Sequence, residues 1–150
     1  MSAVNDGINP MLFDYIVNLM AETPICRLLG MEMIRIGVGT AEIRLLAAEK
    51  HGNTRGGVQG GVLMTLADAA MGTAVRSMGF IGATVEMSSH FFSPTGPGQL
   101  LIAKADFVKK SGKLLFATAE ISSEDKVLYR SQGIFYMIGE FEKLIPLCVE

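Results

Sequence analysis

Histidine and cysteine are scarce in this chain of 150 residues, which has two of each. Cys26 and Cys148 lie far apart with no Cys-x-x-Cys spacing, and the histidines are His51 and His90. A zinc site built from cysteine and histidine needs about four ligands grouped together, so we expect no metal site of that kind. Because the two cysteines are far apart and lack Cys-x-x-Cys spacing, we expect two reduced thiols in a cytoplasmic protein rather than a disulfide.

Long apolar runs without charge are also missing. No stretch approaches the roughly 18 residues that a membrane span needs, and the start MSAVNDGINP lacks a basic segment followed by an apolar core. The formal net charge of −2 gives no basis for binding nucleic acid, and the usual nucleic-acid-binding motifs are absent. We therefore expect no membrane segment, no signal peptide and no nucleic-acid partner.

Apolar residues, in contrast, are abundant. They make up 49% of the chain, and the mean hydropathy is +0.37. A chain of this length fits one domain with a sizeable core, so we expect residues 1–150 to form a single domain. So many apolar residues in a small domain also favour burial of some of them between subunits.

The apolar periodicity predicts the order helix, two strands, long helix, four strands. A first helix over residues 10–23 is expected, because Asn9 can cap it and Pro10 suits its first position. The long helix covers about Gly60 to Met78, and short turns join the four strands after it, one of them at Ser111–Gly112. This order predicts an α+β fold in which a curved antiparallel sheet wraps around one long central helix.

The long helix is apolar on every side, which predicts that it is buried all round. Asp68 is the only charged residue between Val62 and Val75. Burying an unpaired carboxylate is costly, so Asp68 must pair, take up a proton or serve a function. Two interpretations stay open: a structural aspartate bonded to a hydroxyl or a backbone amide, and the base or nucleophile of a reaction.

Two glycines, Gly60 and Gly61, lie where this helix begins. Unpaired amides and the helix dipole meet there, so such a start can bind a phosphate or stabilise an oxyanion. GGVQGG is neither a Walker A loop nor a dinucleotide fingerprint. Gly60 and Asp68 are about 12 Å apart along a helix, too far to act on one carbonyl carbon. If both act in one reaction, they come from two copies of the helix related by a two-fold axis.

Several stretches carry a resemblance to a known family. They are Asn53, QGGVLMTLADAAMG from Gln59, VEMSSHFFSP from Val85, and the hairpin SGKLL. With these residues the chain resembles the hotdog-fold acyl-CoA thioesterases of the phenylacetate-degradation (PaaI-like) type, over about Leu28 to Ile138. The resemblance implies one hotdog thioesterase domain over residues 1–150.

The resemblance also implies roles for four residues. Asp68 would activate water or attack the thioester, and the amide of Gly60 would polarise the thioester carbonyl. Asn53 would help to place substrate or water, and Thr84 would lie beside the carboxylate. No metal or redox cofactor is implied, since coenzyme A enters as part of the substrate. The family forms homodimers that often pair into tetramers, with active sites between subunits.

One residue departs from the family pattern, because Gln59 stands where a histidine is common. Glutamine donates and accepts hydrogen bonds but does not titrate. If the histidine only orients the substrate, little is lost; if it protonates the departing thiolate, this protein must use another donor. We count Gln59 and Gly61 among the candidate substrate-binding residues. Four cations are further candidates for the phosphates of coenzyme A, although solvated turn lysines are common: Arg55, Lys109, Lys110 and Lys113.

The strand after the long helix alternates polar residues. Thr84, Glu86, Ser88 and His90 are expected on one face, where Glu86 and His90 form either an acid–base pair or an ordinary polar pair. His51 is expected on the surface or packed within its loop.

The expected function is hydrolysis of an acyl- or aryl-CoA thioester to the free acid and coenzyme A. One alternative is a non-catalytic protein that binds or senses acyl-CoA on the same fold. Another is a hotdog hydroxyacyl dehydratase, although such enzymes use a histidine near the helix start that this chain lacks.

Overall fold

A computed structural model describes residues 2–144 of the chain; Cys148 lies outside them. The helices are α1 (Pro10–Glu22), α2 (Pro24–Leu29), α3 (Gly60–Ser77) and α4 (Phe141–Leu144), and Glu49–His51 form a short 3-10 helix. The strands are β1 (Val4–Asp6), β2 (Met31–Gly37), β3 (Thr40–Leu46), β4 (Phe80–Phe91), β5 (Leu100–Ser111), β6 (Leu114–Ser123) and β7 (Lys126–Glu140).

The strands of the described residues form one sheet in the order β1-β2-β3-β5-β6-β7-β4. Its neighbouring strands are antiparallel, apart from the parallel pair of β1 and β2. The long helix α3 packs across one face of this curved sheet, where it contacts β2 to β7. The predicted α+β architecture is confirmed, and so is the order of its main elements.

Local signals explain where the first helix begins and where one turn differs from the prediction. The Asn9 side chain accepts hydrogen bonds from the amides of Met11 and Leu12, as expected of a cap. At the β5–β6 hairpin, Ser111 pairs with Leu114, so the turn is Gly112–Lys113 and lies one residue later than predicted. Gly112 has φ 60°, a left-handed conformation that two-residue hairpin turns require.

The core lies between α3 and the inner face of the sheet. Along β6, buried residues alternate with less buried ones, which is the period-2 pattern of a strand with one covered face. Leu66 and Met71 of α3 have no exposed surface. Helix α1 closes one end by packing Ile16 into a second apolar cluster with Ile36 of β2.

Within a single chain α3 is not buried on all sides, so that expectation is wrong. Met64 is 38% exposed, Gly61 is exposed, and Thr65 and Asp68 are half-buried. These positions follow one another at helical spacing, so they form one open stripe along the helix. The sheet covers the opposite side.

The strand β4 forms one edge of the sheet, because β7 is its neighbour on one side and no described strand lies on the other. It has 12 residues, and its bulged residue Val85 is 58% exposed. A long edge strand presents unpaired backbone groups to any strand that can pair with it. The open stripe of α3 and the free edge of β4 meet where Thr84 contacts Asp68.

Replacing a core leucine of α3 tests this packing. We expect Leu66→Ala to lower the free energy of unfolding by about 2–5 kcal/mol, because it leaves a cavity under the helix. Leu28→Ala in α2 is the matched control: Leu28 is 65% exposed, so a change within about 0.5 kcal/mol is expected. The measurement is urea unfolding at one fixed protein concentration. Equal losses in the two variants would contradict the assigned core.

Candidate active site

A single hydrogen bond joins the two candidate residues Asp68 and Thr84. Asp68 is half-buried on α3, and Thr84 Oγ1 on β4 donates to Asp68 Oδ1 at 2.7 Å. No salt bridge within residues 2–144 includes this carboxylate. The hydroxyl therefore orients one carboxylate oxygen, and the other can face a reactant.

A β-bulge turns Thr84 toward the helix. Thr84 pairs with Phe135 of β7, but the next paired residue is Glu86, opposite Ile134, so Val85 is an extra residue. Phe135 is buried under α3, and directly opposed residues point to the same face. Thr84 therefore lies on the inner face.

The expectation that Thr84 shares a face with Glu86, Ser88 and His90 is thus wrong. Ser88 pairs with Gln132 and His90 with Arg130, and both of those β7 residues are exposed. The bulge moves Glu86, Ser88 and His90 to the outer face, away from α3. Glu86 and His90 do share that outer face.

The start of α3 leaves backbone donors free. Gln59 precedes the helix, and its side chain makes no capping hydrogen bond. Among the hydrogen bonds within residues 2–144, none uses the amide of Gly60 or Gly61. These amides and the helix dipole make a site of positive potential, which can stabilise a developing oxyanion.

Asn53 shapes the loop before this helix. Its Oδ1 accepts hydrogen bonds from the amides of Arg55 at 2.8 Å and Gly57 at 3.1 Å. Its Nδ2 makes one long hydrogen bond, 3.4 Å, to the carbonyl of Val58. The carboxamide oxygen is therefore used inside the loop. The side chain of Arg55 is exposed to solvent, and the loop leads into α3 at Gly60.

Sequence reasoning missed two aromatic residues near the helix start, Phe91 and Tyr129. A Cβ on Gly60 would lie 3.1 Å from a ring carbon of Phe91, so glycine permits the ring to pack directly on the backbone. Phe91 also meets the edge of Tyr129, with ring centroids 5.0 Å apart. Tyr129 Oη and Ser89 Oγ are hydrogen bonded at 2.5 Å. The only sequence signal was the HFF triplet at the end of β4.

Five of the candidate residues line two separate cavities of one chain, and Gln59 and Gly61 line neither. The first, of about 240 Å³, includes Asp68 and Thr84 and is walled by α1 and α2. The second, of about 410 Å³, includes Asn53, Arg55 and Gly60, with Phe91 and Phe92 beside them. The cavities share no lining residue. One chain therefore does not bring Gly60 and Asp68 to a common point, as their spacing along the helix predicts.

The three candidate lysines line neither cavity. Lys109, Lys110 and Lys113 are exposed around the β5–β6 turn, and Lys113 Nζ lies 5.7 Å from the centre of the Tyr136 ring. Lys110 stands in the cross-strand row that ends at Thr84, about 14 Å away at roughly 4.8 Å per strand. The lysines thus lie at the same end of the sheet as Thr84.

Two further residues are packed away. His51 is buried and serves its loop: Nδ1 accepts from the amide of Ala48 at 2.9 Å, and Nε2 lies 2.8 Å from the carbonyl oxygen of Leu29. Cys26 lies in the wall of the first cavity. Burial raises the pKa of the Cys26 thiol, and the positive charge of Arg76 only partly opposes this.

Residues 2–144 contain no group of three or more histidine, cysteine, aspartate or glutamate side chains arranged to hold a metal ion. None of the helices between these limits has both the length and the apolar character to cross a membrane.

Comparison with known proteins gives a consistent result. The family model described as "Thioesterase superfamily" matches residues 55–129. A protein of Archaeoglobus fulgidus named "Putative esterase" is 25% identical over 114 residues, which cover 75% of this chain and 74% of that protein.

Two of the solved structures that are similar to this chain show what fold it has. The E. coli PaaI protein from the phenylacetic acid degradation operon superposes with a TM-score of 0.83 at 21% identity, covering 89% of this chain and 98% of that one. A hypothetical thioesterase of Streptococcus pneumoniae, solved with coenzyme A, gives a TM-score of 0.71 at 20% identity, covering 73% and 90%. These likenesses confirm the hotdog fold.

Proposed function

The chain belongs to the thioesterase superfamily, and from that premise we propose that it hydrolyses acyl-CoA thioesters to a free acid and coenzyme A. The observation that carries the proposal is the Asp68 carboxylate, held by Thr84 at 2.7 Å in the wall of a cavity. A structural aspartate would need no such cavity beside it. The coenzyme A bound by the similar pneumococcal thioesterase supports a thioester of coenzyme A as the substrate.

Asp68 provides the reactive carboxylate in this proposal. As a general base it takes a proton from water, whose oxygen bonds to the thioester carbon while the carbon–sulfur bond breaks. As a nucleophile its oxygen bonds to the thioester carbon while the carbon–sulfur bond breaks and the thiolate of coenzyme A leaves; water then cleaves the resulting anhydride, and its proton goes to the thiolate. Either route consumes one water and gives one acid and one thiol. Thr84 is the positioning residue, because its hydrogen bond fixes the carboxylate.

The start of α3 supplies the other half of the proposed site, which polarises the thioester carbonyl. The Gly60 amide donates to the carbonyl oxygen as it gains negative charge, and Gly61 lets the substrate approach the backbone closely. Gln59 adjoins these amides and can hydrogen bond the substrate without transferring a proton. Asn53 holds the loop that leads to them and has an amide group to direct at substrate or water.

The two halves meet only if two chains combine. A reacting carbon must lie within about 3 Å of both partners, whereas Gly60 and Asp68 of one helix are about 12 Å apart. We infer a homodimer in which Gly60 of one chain faces Asp68 of the other, giving two equivalent sites. The free edge of β4 and the open stripe of α3 suit this role, since pairing of the two edge strands extends the sheet across the dimer and sets the helices side by side.

The bulge fixes the register of this pairing. Thr84 contacts Asp68 and Phe91 contacts Gly60, so Thr84 of one strand must lie opposite Phe91 of the other. Both point to the inner face, as directly opposed residues do. With Val85 counted as the extra residue, the two-fold axis passes through Ser88.

Cations around this composite site would hold coenzyme A. Arg55 is exposed in the second cavity, beside the helix start, where its fork can bind a phosphate. Lys109, Lys110 and Lys113 lie at the sheet end near Thr84 and provide a basic rim. A pair of dimers is the larger assembly that we propose for the chain.

Asp68→Asn tests the chemistry. We expect it to lower the rate of thiol release from a panel of acyl-CoAs by at least about 100-fold, because an amide cannot act as base or nucleophile. Asp14→Asn, at an exposed position of α1, is the matched control and should keep the wild-type rate. Wild-type activity in Asp68→Asn would sink the assignment. Binding without turnover by the wild type would instead identify a binding protein, and hydration of crotonyl-CoA would identify a dehydratase.

Heterodimers test whether two chains share each site. Asp68→Asn and Gly60→Val, the latter crowding the Phe91 ring, are co-expressed with different affinity tags and the mixed dimer is isolated. One of its two sites then carries both wild-type residues, so we expect about half of the wild-type activity per dimer. Each homodimeric variant should be inactive. A mixed dimer as inactive as its parents would show that Gly60 and Asp68 do not combine across subunits.

A cysteine on the proposed axis tests the register. In a variant lacking Cys26 and Cys148, Ser88→Cys should form a disulfide between two chains, because opposed strand residues have Cα atoms about 4.5–5.5 Å apart. Thr118→Cys on the outer face of β6 is the control and should stay monomeric on a non-reducing gel. Absence of the Ser88 cross-link in a dimeric protein would refute the register.

A further inference from the structure

The cavity that contains Asp68 also contains an arginine. Arg76 lies two turns beyond Asp68 on α3, lines the same cavity and is half-buried. Its guanidinium is folded back along the helix: Nη1 lies 3.3 Å from the position that a Cβ on Gly72 would occupy. Gly72 thus gives the guanidinium space beside the backbone, one turn from Asp68.

The hydroxyl groups of this cavity are already satisfied within the protein. Thr84 donates to Asp68, and three others donate to backbone carbonyls one turn back on their own helices: Thr23 to Leu19 at 2.7 Å, Thr65 to Gly61 at 2.8 Å and Thr73 to Ala69 at 2.8 Å. A ligand therefore finds few free donors on these walls.

Arg76 is the exception. Its side chain takes part in none of the side-chain hydrogen bonds and salt bridges formed within residues 2–144. A guanidinium carries five N–H donors and is always charged, and leaving such a group partly buried without an acceptor is costly. Its charge also acts inside the cavity, since it opposes the rise that burial causes in the pKa of Cys26.

The remaining wall is apolar. Ile16 and Leu19 of α1, Ala69 of α3 and Phe135 of β7 line the space around Asp68 and Arg76. A ligand that fills the cavity therefore meets a carboxylate at one point, apolar side chains along its length, and an unpaired cation further on.

We propose that the acyl group of the substrate ends in a carboxylate that binds Arg76. This inference rests on the proposed function, because the thioester must lie at Asp68. Gly72, where the guanidinium folds back, is about 6 Å along the helix from Asp68, a span that suits an ω-carboxyacyl chain of about five carbons. Arg76 forms a charge-assisted, bidentate pair with that carboxylate and offsets its repulsion from Asp68.

A purely structural role for Arg76 leads to a different expectation. An arginine in the last turn stabilises the helix through its interaction with the helix dipole. That stabilisation does not depend on which acyl group is bound. The contrast between a charged and a neutral acyl chain of equal length therefore separates the two roles.

The kinetic test compares glutaryl-CoA with pentanoyl-CoA. We expect the wild type to prefer glutaryl-CoA, and Arg76→Gln to lower kcat/KM for it by roughly 10- to 100-fold while leaving pentanoyl-CoA unchanged or improved. Arg76→Lys should recover part of the preference, because it keeps the charge but loses the fork. Arg27→Gln, at an exposed position of α2, is the charge-matched control and should behave as wild type. Equal loss for both substrates, or no preference in the wild type, would overturn the inference.

A binding measurement keeps this outcome separate from that of the proposed function. In the Asp68→Asn variant, calorimetry should show tighter binding of glutaryl-CoA than of pentanoyl-CoA, and Arg76→Gln should remove the difference. Hydrolysis of neutral acyl-CoAs without this difference would refute the carboxylate site alone. Absence of hydrolysis for every acyl-CoA, with the difference present, would refute the reaction but keep the carboxylate site. Equal binding overturns the inference whatever the activity.

Discussion

The hydrogen bond from Thr84 to Asp68 links the two elements on which the candidate site depends. It joins the central helix to the edge strand in the wall of the cavity that both side chains line. The strand reaches the carboxylate because a bulge interrupts its alternation, so that a hydroxyl points inward where the regular pattern would have turned it outward. A carboxylate in a mostly apolar helix is tolerable because this donor is present and one side of the helix stays open.

The rise of an α-helix then limits what a single chain can do. Eight residues separate the free amide at the helix start from the carboxylate, and each lies in its own cavity. The long unpaired edge of β4 lies beside both. In the proposed dimer, catalysis, association and edge protection depend on the same surface, so a substitution that disturbs pairing of the edge is expected to affect the site as well.

Much of this fold follows from local signals in the sequence. The cap at Asn9, the glycines at the start of α3 and the period-2 pattern of the later strands each predict their element, and the elements together predict the architecture. The bulge at Val85 could not be predicted, because a polar–apolar alternation continues through it in the sequence and only pairing with β7 reveals the extra residue. The internal hydrogen bonds of Asn53 depend on a loop conformation that no spacing encodes. The surroundings of Arg76 could not be predicted either, because only the folded chain brings α1 and α2 against the cavity that it shares with Asp68.

The first helix has a consequence for how such a chain can diversify. The residues that match the thioesterase superfamily begin at 55, whereas the wall facing Asp68 is built in part from α1 and α2, which precede that point in the chain. The candidate site residues Asp68, Thr84 and Gly60 and part of the cavity wall beside Asp68 therefore come from different stretches of sequence. Exchange or drift of the N-terminal helices can reshape what the chamber admits and leave the carboxylate, its threonine and the helix start intact. Under the proposed function, selection for a different acyl group thus has a separate segment of sequence on which to act.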